Sequence, residues 1–189
     1  MNGKLPFWIM SRDSNRFRSF AYSSSDWMSY LESMKENKKI ANIWKPPKLF
    51  LFSDIEHVGR EEKLPIADFM NGLVFISISE KAKSILVELM ENQVELLPLD
   101  TEIGKYYELN IDRICCLDEQ KCVLKRPSSG KGILHVEKYA FFINKIAGRN
   151  IFLSAELGFT KCFVSDVFRQ TIEENSLSGL LFSAIPVPE

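Results

Sequence analysis

The sequence predicts a mixed α/β fold of the α+β kind: a mixed or antiparallel sheet with two or three amphipathic helices. Two observations carry this expectation. Two segments follow one plan, "VFISISEKAKSILVELMENQVELLPL" and "KCFVSDVFRQTIEENSLSGLLFSAIPV". Each runs strand, capping serine, amphipathic helix, strand, with Ser79 and Ser165 at the same cap position and Leu86 aligned with Ile172. The composition supports a buried core as well. Of 189 residues 46% are hydrophobic and 26% charged, and fourteen Phe and three Trp supply the apolar area that offsets chain entropy. If the two strand–helix–strand units share one sheet, both helices pack on that sheet.

Taken in order, "PFWIM" is a short strand, and the alternating segment from Arg16 to Tyr22 is another. A helix follows, with Ser24 or Ser25 as cap, Asp26 at its positive end, and Trp27, Leu31 and Met34 on one face. Asn37, Lys38 and Lys39 suit its C-terminal end. "WKPPKLFLF" runs from an extended Pro segment into a strand at Leu49 to Phe52, and the polar loop "SDIEHVGREEK" closes an N-terminal region, 1–63. From residue 64 to 189 the pattern is more regular. "GLVFISIS" is a strand, and in the helix after Ser79 the residues Ala82, Ile85, Leu86 and Leu89 share a face. "VELLPL", "YYELNID", "RICCLD", "GILHVEKYAFFI" and "NIFLS" are further strands, before the second capped helix and the final apolar run.

Charge and cysteine usage narrow the function classes. A net charge of −1, with Lys and Arg interleaved among Asp and Glu, argues against nucleic acid or an anionic membrane as the main partner. No apolar run reaches the length that crosses a bilayer, and the N-terminus lacks an export signal, so the expected compartment is the cytoplasm. Cys115, Cys116, Cys122 and Cys162 show no CxxC spacing and read as small buried hydrophobes in a reducing compartment.

Chemistry-bearing residues are few, and neither a metal nor an organic cofactor is expected. His57 lies among Asp54, Glu56, Glu61 and Glu62 in one polar loop, which reads as solvated rather than metal-binding. His135 stands on a strand between apolar neighbours and reads as a satisfied sheet residue. "SSGKG" lacks the spaced first glycine and the hydroxyl residue of a phosphate loop, and Ser79 and Ser165 lack the glycines of a nucleophile elbow. The expectation is therefore a binding protein and not an enzyme. Two features suit a partner surface. Of Tyr106 and Tyr107, adjacent on one strand, one faces a core and the other the opposite side, where a tyrosine can anchor a partner. The carboxylates Asp54, Glu56, Glu61 and Glu62 are the densest acidic group and can steer a basic partner.

The succession "LPIADF", "VFISISEKAKSIL", "LLPL", "YYELN", "CLDEQKC", "AGRNIF", "FVSDVFRQTIEE" and "LSGLLFSAIPV" resembles a family of bacterial polymorphic-toxin immunity proteins, immunity protein family eleven, over residues 64–187. By that resemblance the family's motifs fall on Asp68 and Phe69, on Tyr106, Tyr107, Leu109 and Asn110, on Leu117 and Asp118, on Ser165, and on Leu177, Gly179 and Leu180. The resemblance implies a non-catalytic protein that neutralises a cognate toxin protein by direct binding. An adaptor or chaperone of a secretion system is the alternative, and an enzyme of unrecognised type, with His57 and its acidic neighbours as the site, is a third. Proteins of one scaffold that each fit a different toxin share framework residues more readily than contact residues. Asp68, Phe69, Asn110, Asp118, Ser165 and Gly179 are therefore expected to be structural.

Overall fold

The computed structural model describes residues 6–22, 26–52 and 64–188. In chain order its strands begin with β1 (Phe7–Arg12), β2 (Ser19–Tyr22), β3 (Lys48–Phe52), β4 (Phe69–Asn71), β5 (Ile76–Ser79), β6 (Val94–Thr101) and β7 (Tyr106–Ile111). They continue with β8 (Arg113–Ile114), β9 (Val123–Lys125), β10 (His135–Lys138), β11 (Ile151–Ser154), β12 (Cys162–Ser165) and β13 (Leu180–Ala184). The α-helices are α1 (Leu31–Lys35), α2 (Glu80–Met90), α3 (Ile143–Ile146) and α4 (Asp166–Glu174). The fold is the expected mixed α+β type.

The two strand–helix–strand units do not share a sheet, which corrects the expectation. β5-α2-β6 belongs to a sheet of order β2-β3-β6-β7-β5-β4, and β12-α4-β13 to a sheet of order β13-β1-β12-β11-β8. The cause is a central strand in each unit. β7 separates β5 from β6, and β1, from the far end of the chain, separates β12 from β13. Because each outer strand is antiparallel to the central one, helix crossover and hairpin pairing coexist in one unit. The two units match residue by residue. Ile78 lies opposite Phe69 and Tyr107, and Val164 lies opposite Ile151 and Trp8. The chain thus holds one ββαββ plan twice, with β1 standing where the second copy's last strand would be.

The caps repeat down to single bonds. Ser79 accepts the Ala82 N–H at 3.1 Å and Ser165 accepts the Phe168 N–H at 3.1 Å, which satisfies one orphan donor of each helix. Ser79 Oγ donates to Asp68 at 3.0 Å, and Ser165 Oγ donates to Asn150 at 2.9 Å. Each of these partners is tied to the end of the other helix. Asp68 accepts the Ser178 N–H beyond α4, and Asn150 Nδ2 donates to Leu89 O within α2. The helices therefore run antiparallel between the sheets. Leu86, Met90, Phe168 and Ile172 share one core with Ile78, Leu109 and Val164.

The larger sheet curls until its edges meet. Asn71 on β4 accepts the Phe20 N–H of β2 and donates to Phe20 O at 2.8 Å, so one carboxamide imitates a strand partner. Tyr22 Oη donates to Gly72 O beside it. Phe20, Leu49, Met70, Leu99 and Tyr106 fill the interior of this partly open barrel. On the other sheet, the face turned away from the helices carries Phe7, Phe141, Phe152 and Phe163 in mutual ring contact.

Several local expectations change. The expected helix from Asp26 divides into a 3-10 turn, Asp26–Tyr30, and the short α1, with Asn37 at a left-handed φ of 61° just beyond its end. Ser24 and Ser25 lie outside the described residues. "GILHVEKYAFFI" yields only β10, paired with β9 across the "PSSGKG" turn, and His135 stands exposed on that strand. Cys115 is exposed too, unlike buried Cys116 and Cys162.

Candidate functional surface

Of the motif residues, Phe69, Asn110, Asp118 and Gly179 are buried, and Asp68 and Ser165 are partly buried. Phe69 is buried in the shared core. Gly179 has φ 103°, and a Cβ there would lie 2.2 Å from Phe69 O, so only glycine fits. Asn110 Nδ2 donates to Lys38 O at 3.0 Å and to Glu95 at 2.9 Å. Glu95 in turn accepts the N–H groups of Ile40 and Ala41, so the two side chains dock the segment after α1 onto β6. Asp118 is buried, and its carbonyl accepts the Lys121 and Cys122 N–H groups at the turn before β9.

The adjacent tyrosines divide as strand alternation requires. Tyr106 points into the barrel, donates to Ala67 O at 2.7 Å, and burial raises its hydroxyl to about 12. Tyr107 is half-buried at the N-terminus of α2. Its hydroxyl donates to Glu80, and Lys83 donates to it at 3.0 Å and covers its ring at 4.2 Å. The Tyr107 hydrogen bond and then Lys83 hold the Glu80 carboxyl below its ordinary value, and the same hydroxyl raises Lys83.

The second unit builds the same cluster from different residues. Trp8, the register equivalent of Tyr107, donates from Nε1 to Asp166, and Arg169 lies over its ring at 4.5 Å. In each cluster a carboxylate and a cation fix an aromatic ring at a helix start.

A groove of about 420 Å³ opens beside the first cluster, between Pro98, Asp100, Gly104, Lys105 and Tyr107. An aromatic pair is tied to one of its lining residues, Pro98. Trp44 Nε1 donates to Pro98 O at 2.7 Å, and the Trp44 ring lies 4.8 Å from Tyr30. Next to this pair Ile43 is 54% and Met28 55% exposed, large apolar side chains left facing solvent. No local sequence pattern marks this rim, since Trp27, Tyr30 and Trp44 come together only once the 38–47 segment lies along β6. Asp54, Glu56, His57, Glu61 and Glu62 lie outside the described residues. Among the described residues no group of three or more His, Cys, Asp or Glu is placed to hold a metal ion, and no helix is long and apolar enough to cross a membrane.

A doubled ββαββ scaffold on two mixed sheets defines a protein of the α+β class. The family model of immunity protein family Imm11 matches residues 35–187, and the chain belongs to that family. The matched span begins before residue 64 and includes β3. A search of curated proteins found no match.

Proposed function

We propose that this chain neutralises a cognate toxin protein in the cytoplasm by binding it directly, with no chemistry of its own. The family match across residues 35–187 carries this reading, because it takes in both structural units and the groove between Pro98 and Tyr107. The contact surface on this reading is the groove with its rim of Tyr30, Ile43 and Trp44. Aromatic side chains there supply large contact area at small entropic cost. Tyr107 is held in place beforehand by Glu80 and Lys83, which lowers the cost of ordering it on binding. Asp54, Glu56, Glu61 and Glu62 speed the approach of a basic toxin, an effect of charge at a distance.

The test is co-expression with the toxin encoded beside this gene. Wild-type protein is expected to restore growth and to form a stoichiometric complex. Ile43→Asp and Lys105→Glu, both at exposed positions, are expected to weaken the complex at least tenfold without lowering thermal stability. A toxin left fully active in the presence of folded wild-type chain overturns the reading. Unchanged affinity in both variants moves the contact surface elsewhere.

A further inference from the structure

Glu108 is 0% exposed, in the middle of β7, between Ser77 on β5 and Leu97 on β6. Its carboxyl accepts the N–H of Leu73 at 2.7 Å, of Val74 at 3.1 Å and of Phe75 at 3.3 Å. The backbone closes on it tightly: a Cβ on Gly72 would lie 2.2 Å from Glu108 Oε2. That same turn carries both contacts that join the barrel's edges, from Asn71 to Phe20 and from Tyr22 to Gly72 O. One buried carboxyl thus holds the turn through which β4 reaches β2.

The surroundings offer it no counter-charge. Its partners are three backbone N–H groups and no cation among the described residues. Tyr22 approaches from β2, its hydroxyl raised by burial and then by Glu108 itself, with Arg12 of β1 acting on it in the opposite sense. On the same face stand Tyr106 of β7, influenced by Asp68, and Glu95 of β6, which is occupied by Ile40 and Ala41.

We propose that Glu108 is the pin of a pH-sensitive latch, which holds the 72–75 turn and the β2–β4 seam closed while protonated and loosens them when it ionises. Burial is the largest influence and pushes this carboxyl up to about 7, while the three N–H donors pull it down by less. With the seam open, water reaches the group and its ordinary value near 4.5 returns. A carboxyl whose value is raised in the closed state favours closure fully below the ordinary value. That preference is lost as pH rises through the raised one. Between the two values each step of one in pH multiplies the ratio of open to closed seam by about ten, and above about pH 7 the ratio levels off.

Amide hydrogen exchange of the full chain reads this directly, with Glu108→Gln as the reference. Between about pH 5 and 7, exchange at Leu73, Val74 and Phe75 is expected to rise by about two decades for each step of one in pH, against about one for intrinsic chemistry alone. In Glu108→Gln the three amides are expected to show the ordinary single decade. Wild-type slopes of a single decade, or an unchanged steep slope in the variant, overturn the latch. If the variant does not fold, a carbon-13 titration of the wild-type Glu108 carboxyl decides the matter. A midpoint near 7 supports the proposal, and one near the ordinary carboxyl value overturns it.

Discussion

The unit around α2 and the unit around α4 share backbone, register and caps, yet differ in what they turn away from the helices. In the second, Phe163 lies between Phe152 and Ile9, with ring centroids of the two Phe 5.3 Å apart. In the first, the equivalent row is Ser77 between Met70 and Glu108. One row is wholly apolar, and the other sets a serine and a carboxyl beside a methionine inside a barrel. On the helix side both units bury apolar residues in the same shared core. A duplicated scaffold tolerates this divergence because the helix side alone is enough to fix register, leaving the far side free to specialise.

The widest break in the comparison is expected along these rows. Phe163→Ala removes a ring packed against Phe152, Phe141 and Tyr139 and should cost about 4 kcal/mol in chemical denaturation. Ser77→Ala loses only the hydrogen bond to Asn71 O and should cost about 1 kcal/mol. Equal losses would mean that the two rows bear the same structural load.

Next comes pH. The raised Glu108 carboxyl contributes stability that is complete below about 4.5 and lost as pH rises through about 7. Relative to Glu108→Gln, the wild type should therefore lose about 3 kcal/mol between pH 4.5 and 8, since each tenfold difference in proton affinity between folded and unfolded chain is worth about 1.4 kcal/mol. Denaturation curves of both proteins across that range measure the difference, and parallel curves would remove Glu108 from the comparison. No corresponding effect is expected at Ile9, which has nothing to titrate.

Gly179→Ala tests the joint between the units. Its φ of 103° and the 2.2 Å approach to Phe69 O leave no room for a Cβ, so a loss of at least about 2 kcal/mol is expected. The loss should appear as a lower denaturation midpoint with an unchanged slope.

Much of this was legible in the sequence, for reasons of range. Ser79 and Ser165 announce themselves because a cap and the helical period after it are local signals. Which sheet each unit joins is decided by β1 and β7, and the pairing of Phe7 with Ser165 spans almost the whole chain. No local pattern encodes that. The segment at Trp27, Leu31 and Met34 has helical spacing, but its apolar residues are spent on Tyr22, Trp44 and the barrel mouth rather than on one long helix. Glu108 was visible in principle. Alternation in "YYELN" places it on the face of Tyr106, and a carboxylate on the buried side of a strand is a signal the paired tyrosines overshadowed.

The smallest expected effect tests how far the likeness of the two units extends. Ser79 and Ser165 have matching backbone angles, φ −69° with ψ 162° and φ −69° with ψ 161°, and each accepts one N–H at the same distance. Replacing either by Ala should cost about 1 kcal/mol, the usual loss for an N-cap. Their partners differ, however: Ser79 donates to the Asp68 carboxylate and Ser165 to the neutral Asn150 amide. A hydrogen bond to a charged acceptor is stronger, but Asp68 also keeps Ser178 and Lys81 when Ser79 is lost, so little of that advantage is forfeited. The two losses should therefore agree within about 0.5 kcal/mol, and toxin protection should persist in both variants at temperatures where they stay folded. A Ser79→Ala loss well above that of Ser165→Ala would show Asp68 to depend on the cap. Loss of protection by a folded Ser165→Ala protein would move that serine from the framework to the contact surface.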